Sequence, residues 1–368
     1  MIYADNAATT KLDKDAFGAM RSFLLEEYGN ASQPYSFSRS AKKALSDSRI
    51  RIAECLGADP EEILFTSCGT ESDNWAIKIG SRRGKHIVTT QIEHHAVINS
   101  CISMEKQGKT VTYLPVSKTG EVDPNIMGAS ILDDTGIVSI MFANNEIGTI
   151  QPIAELVKIA HKKNVLFHTD AVQAVGHIKM DVHSDGVDLL SASAHKFNGP
   201  KGIGFLYVRK GIAIDSFVDG GTQERGLRAG TENVASIVAM SIALKNNCNE
   251  IERNKKHLVE LERIILNKLS QAGIDYIHNG SSNRIPGNVS LSFRNSDGEM
   301  LLHRLDLQGI CISTGSACDS QNMNLSHVIN AIAVPKEYSK GTIRISFGKY
   351  NTVEEAEKIA LALIKILK

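Results

Sequence analysis

Short β-branched runs separated by amphipathic stretches dominate the first two thirds of the chain. Residues 62–66, 85–90, 111–114, 136–142, 165–168, 189–192 and 204–208 read as strands rich in Ile, Val, Leu and Phe. Between them lie helical periods such as 153–163, where Ile153, Leu156, Val157 and Ala160 share one face. Strand–helix alternation without hairpin turns predicts an α/β fold: a mostly parallel sheet covered by helices, with catalytic residues at the carboxyl ends of strands. Beyond about Thr231 the pattern changes. A long helical period runs over 233–270, interrupted around 245–250, and is followed by strands at 288–293 and 342–347 and helices at 299–307 and 353–367. The expected organisation is a large domain over 15–250 and a smaller α+β domain over 251–368 that also takes in residues 1–14.

Composition narrows the class. Hydrophobic residues are 42% and charged residues 22% of 368, an ordinary globular mix that excludes wholesale disorder. Lys+Arg and Asp+Glu both number 41, which argues against nucleic acid or an anionic membrane as the main partner. No apolar run reaches the roughly 18 residues of a spanning helix, and Asp5 stands where a leader would be basic. The six cysteines form no CxxC pair and read as reduced thiols, so a cytoplasmic protein is expected.

Some tempting motifs fail. Gly108-Lys109-Thr110 lacks the first glycine of a phosphate loop, and Gly202-Ile203-Gly204 lacks the third glycine and helix of a dinucleotide fingerprint. His94 and His95, read as strand neighbours, point to opposite faces and make no zinc site. These motifs give no reason to expect a metal.

Three segments point the other way. Lys196, between His195 and a Gly/Pro-rich turn just past an apolar run, is placed for a Schiff base, because burial frees its amine to attack; the bland reading is a surface-loop lysine. Asp170 ends another strand pattern, where a carboxylate can hold a ring nitrogen protonated, or merely cap a helix. The turn Ser67-Cys68-Gly69-Thr70 precedes a helix whose first amides can cradle a phosphate; the rival is a capping box of Thr70 with Asp73. Farther on, Cys318 lies among small polar residues, in contrast to Cys311 in an apolar pattern, and Arg344 on an alternating strand offers a fork to a carboxylate or forms a surface salt bridge.

With these segments in hand, the chain resembles the cysteine desulfurases of the NifS/IscS type, pyridoxal 5′-phosphate (PLP) enzymes of the class V aminotransferase family and fold type I. The resemblance runs through residues 5–10, 65–74, 93–97, 144–152, 168–176, 193–204, 220–233, 313–318 and 343–347. It implies that Lys196 holds PLP, Asp170 meets its pyridine nitrogen, Gln173 its phenolic oxygen, and His94 stacks on the ring and shuttles protons. Gly69, Thr70, Ser193 and His195 bind the phosphate, with Thr231 reaching over from a second subunit of a homodimer. Asn145, also near the cofactor, and Arg344 hold the carboxylate of L-cysteine, and Cys318 takes the sulfur as a persulfide. The implied acceptors are a scaffold for iron–sulfur cluster assembly or a tRNA-thiolation enzyme, with neither direct nucleic acid nor membrane contact. The alternative on the same scaffold is selenocysteine lyase or another carbon–sulfur β-lyase. Three features depart from the family pattern: residues 30–35 lack its histidine, Cys68 replaces a small inert residue, and Asp319 follows Cys318 directly.

Overall fold

The computed structural model describes residues 1–314 and 325–368. Twelve strands occur among them: β1 (Ile2–Tyr3), β2 (Ile63–Thr66), β3 (His86–Thr90), β4 (Thr110–Leu114), β5 (Thr135–Ser139), β6 (Leu166–Asp170), β7 (Leu189–Ser193), β8 (Gly204–Val208), β9 (Tyr276–His278), β10 (Asn288–Phe293), β11 (Ile310–Cys311) and β12 (Thr342–Ser346). Seven form one sheet in the order β2-β8-β7-β6-β5-β3-β4. Every residue of β2, β3, β5, β6, β7 and β8 is buried, as expected for strands covered on both faces.

All neighbouring pairs in this sheet are parallel except those of β8, which runs antiparallel to β2 and to β7. The alternation read as free of hairpins therefore conceals one. The chain returns from β7 to β8 through residues 194–203, turning at Asn198 (φ 63°) and Gly202 (φ 78°), with Ala194 N–H donating to Ile203 O at 3.1 Å. This turn carries Lys196. The carboxyl ends of β2, β3, β5, β6 and β7 share one edge, so residues following each of them converge there.

Close helix packing fixes that edge. The helix Gly69–Arg83 lies so near β5 that a Cβ on Gly80 would fall 2.3 Å from Ile137, and one on Gly136 would fall 2.1 Å from Gly80 O. Glycine at both positions lets the helix pack directly on β5.

A second sheet, β12-β10-β9, is antiparallel, and β1 pairs in parallel with β11. Its separate hydrophobic cluster joins Leu261, Ile265, Leu291, Ile343 and Leu363 with Ala4 from the chain's start. The predicted interruption of the long helical period falls at Glu250, between the helices Val234–Asn249 and Ile251–Gln271. The first is buried around most of its circumference against the large sheet's core, whereas the second buries the single stripe Leu258, Leu261, Ile265 and Leu269. Cys311, expected in the core, is only half-buried, because β11 pairs only with the short β1. No helix among the described residues is long and apolar enough to cross a membrane.

Candidate active site

Where the strand ends converge, a cavity of about 370 Å³ is lined by Lys196, Asp170, Gly69, Thr70, His94 and Arg344, among others. Lys196 closes a single 3₁₀ turn, Ala194–Lys196, directly after β7. Its backbone is tied from several sides. His177 Nε2 donates to Lys196 O at 2.9 Å, and Thr10 donates to His195 O from both its N–H (2.9 Å) and its hydroxyl (2.8 Å). The Nζ amine donates to Ala7 O at 2.6 Å and Ala8 O at 2.9 Å, so this lysine faces an interior cavity and not a solvated loop.

Asp170 is 5% exposed, and its Oδ1 accepts from Val172 N–H at 2.9 Å. Burial pushes its pKa up, while His94, the Val172 amide and Lys196 pull it down. Behind it lie two groups whose charged forms are disfavoured by burial. His168 bonds Ser139 Oγ (2.8 Å) and Ser191 Oγ (2.9 Å), and burial drives its pKa down to about 3. Burial, reinforced by Asp170, holds the Asp73 carboxyl well above the usual range, and its Oδ1 is a buried atom with no hydrogen-bond partner, 3.7 Å from His168 Nε2. Asp73 thus belongs to the interior and does not cap the helix with Thr70; the capping-box rival is set aside.

The helix Gly69–Arg83 has Cys68 at its N-cap with no capping side chain. Its first amides therefore face the cavity edge without the usual acceptor, the arrangement that binds an anion. A Cβ on Gly69 would lie 2.6 Å from Val172 Cγ2 and 3.5 Å from Ser193 Cβ, so the cradle is closed to larger residues. Ser193 and His195 also line it, the latter bonded through Nδ1 to Thr9 Oγ1 at 3.1 Å; burial, then Lys196 and Lys201, lower its pKa to about 4. An anion cradle, a buried carboxylate and an amine around one cavity complement an aromatic phosphate with a ring nitrogen and an aldehyde. The residues fit PLP.

His94 and His95 are not on a strand. His94 N-caps the helix His95–Glu105, its Nδ1 accepting from Ala96 N–H at 3.1 Å, and both rings line the cavity with centroids 6.3 Å apart. Burial lowers the His94 pKa, with Asp170 opposing. Arg344, 3% exposed, is no surface residue: its terminal nitrogens donate to Asn145 O (2.9 Å) and Asp5 Oδ1 (2.7 Å). Asn145 lines the cavity, as does Gln173, whose Nε2 donates to Ala7 O at 3.0 Å.

Two expected residues are not in this group. Thr231 is exposed and outside the cavity of its own chain. Cys318, with the neighbouring Asp319, lies outside the described residues. Sequence reasoning does not single out Asp5, the Ala7 and Ala8 carbonyls, or His327. His327 opens the helix His327–Ala331, donates from Nε2 to Glu93 O at 2.9 Å and packs against His95 with ring centroids 4.9 Å apart. Cys68, a departure from the family pattern, lines the cavity too.

Residues 2–359 match the family model described as aminotransferase class-V. The chain is 47% identical to the cysteine desulfurase IscS of Dictyoglomus turgidum, covering all of this chain and 94% of that protein, and 45% identical to that of Methanosarcina thermophila, covering 100% and 92%. Among solved structures, a NifS-like protein superposes with a TM-score of 0.94 at 38% identity, covering 100% of this chain and 99% of that one. Another, SspA in complex with cysteine, gives 0.83 at 31% identity over 96% and 100%.

Proposed function

The chain belongs to the class-V aminotransferase family, and from that premise we propose how its cavity performs the reaction. The protein is a PLP-dependent cysteine desulfurase, converting L-cysteine to L-alanine while the sulfur moves on. The observation that carries the residue assignments is the convergence of Lys196, Asp170 and the uncapped helix start on one cavity.

Bound there, PLP supplies an aldehyde that captures amines covalently and a ring that withdraws electrons from the adjacent carbon. The amides of Gly69 and Thr70, with Ser193 and His195, hold the phosphate. Asp170 keeps a proton on the pyridine nitrogen, and burial behind it disfavours the charged forms of both Asp73 and His168, so neither competes strongly for that charge pair. Gln173 meets the phenolic oxygen and His94 covers the ring. Arg344 and Asn145 orient the carboxylate of L-cysteine, the amino acid with which the solved SspA is in complex. Lys196 Nζ moves the α-proton. Cys318, assigned from the sequence resemblance, attacks the substrate sulfur as a thiolate; the S–S bond of a persulfide forms as the carbon–sulfur bond breaks, and the electron pair left on the carbon fragment takes up a proton on the way to alanine.

The protein acts as a homodimer in this account: Thr231 is exposed and has a phosphate to meet only on a second copy. Residues 15–250 form the cofactor domain, and 251–368 with 1–14 the domain that brings the carboxylate anchor and Cys318. The persulfide is handed, in the cytoplasm, to a scaffold for cluster assembly or a tRNA-thiolation enzyme.

Incubating the PLP-loaded protein with L-cysteine and weighing products and protein tests this. Alanine together with a one-sulfur mass gain on Cys318 is the expected outcome. Pyruvate and free sulfide, with no adduct on any cysteine, would identify a β-lyase instead.

A further inference from the structure

We propose that Asp5 is the positioning residue for Arg344, so that the first few residues of the chain build the subsite for the substrate carboxylate; this rests on the reading of Arg344 given above. Arg344 lies in the middle of β12 with its backbone held on both sides. It pairs with Ser290 on β10, and it exchanges hydrogen bonds with Ser313 at 3.1 and 2.7 Å. The side chain is thereby delivered to the cavity wall, but a guanidinium on a fixed backbone can still turn about its last torsions.

Donor arithmetic shows what Asp5 settles. A guanidinium carries five N–H donors and no acceptor. One terminal nitrogen donates to Asn145 O, the other to Asp5 Oδ1, and Nε is buried without a partner. One N–H remains on each terminal nitrogen with no partner among the described residues. Two such donors in one plane match the two oxygens of a carboxylate. Asn145 O is neutral and bonds one side only. Asp5 supplies the second point, and the charge, that fix which pair of donors faces the cavity.

Asp5 is itself anchored. It forms a parallel bridge to Ser346, one same-face position beyond Arg344 on β12, and its carbonyl accepts from Tyr3 Oη and Ala8 N–H, both at 3.0 Å. Ala7 and Ala8, which follow, accept from Lys196 Nζ. One short segment therefore touches both the carboxylate anchor and the amine, and sets the spacing between the groups that meet the two ends of an α-amino acid.

The test titrates PLP-loaded Asp5→Asn and Arg344→Lys with L-alanine and with 2-aminoethanethiol, which is L-cysteine without its carboxylate, following the cofactor's visible spectrum. For Asp5→Asn the dissociation constant for L-alanine rises roughly 10- to 100-fold, the scale of a misoriented binding group, and that for 2-aminoethanethiol stays within about twofold. In turnover, KM for L-cysteine rises in step while kcat changes far less. Should Asp5→Asn not accumulate as folded protein, Asp5→Glu, which keeps the charge but shifts it by one methylene, must show the same split. Equal weakening of both ligands, or of neither, overturns the proposal and leaves Asp5 a structural tether. If Arg344→Lys also fails to weaken L-alanine, the reading of Arg344 itself falls; if it weakens L-alanine while Asp5→Asn does not, only the present inference falls.

Discussion

The Thr90 hydroxyl donates to Oε1 of Glu93 over 2.7 Å, holding a fully buried carboxyl beneath the cavity, where Met141 N–H also reaches both its oxygens. Burial pushes the Glu93 pKa from 4.5 up to about 8. Below the lower value both the folded and unfolded chains carry the proton. Between the two values only the folded chain keeps it, so stability falls as pH rises and levels off above about 8. Glu93→Gln stays uncharged throughout and removes that slope. Relative to the parent it gains on the order of 3 kcal/mol between about pH 5 and pH 8. Urea unfolding at several pH values measures this, and parallel pH profiles for the two proteins would contradict it.

Gly69 faces Val172 so closely that an added methyl has no room. Gly69→Ala is expected to weaken PLP binding by roughly tenfold or more, the scale of an overpacked buried contact. Adding Val172→Ala removes the nearest atom and recovers much of that loss. Equilibrium dialysis against PLP reads both variants, and a double mutant no better than the single would refute the steric account.

His94 presents its Nε2 as the protonated nitrogen, because Nδ1 accepts from Ala96 N–H. His94→Gln keeps a polar group of similar reach but cannot shuttle a proton near neutral pH. The expected result is near-parental PLP content with alanine formation slowed roughly 10²- to 10⁴-fold, the usual contribution of a positioned acid–base group. Parental turnover would remove His94 from the chemistry.

Cys318→Ala separates cofactor chemistry from sulfur capture. PLP loading and the spectral response to L-alanine remain parental, while alanine release from L-cysteine falls by at least about 10²-fold. Unimpaired alanine release would show that sulfur leaves without this thiol.

Much of this site is legible in the sequence because its chemistry sits in side chains at or beside strand runs. Lys196, Asp170 and Arg344 are each an unusual functional group beside an apolar run, and all three line the same cavity. What escapes is carried by tertiary contact or by backbone. The Asp5–Arg344 pair joins positions 339 residues apart, and Ala7 and Ala8 act through carbonyls that every residue possesses. The β7–β8 return hides because its turn contains no short hairpin signature, only Asn198 and Gly202 at positive φ. Strand geometry misplaces His94 and His95, because a helix begins between them and turns both rings to one side.

The central claim is that the Lys196 amine is where the cofactor is bonded. Reducing the PLP-loaded protein with borohydride, digesting it and mapping the modified peptide by mass spectrometry tests that claim. A pyridoxyl-phosphate mass on Lys196, absent from Lys196→Ala along with the parent's yellow colour, is the predicted result. The same mass on another lysine, or colour undiminished in Lys196→Ala, would contradict the account.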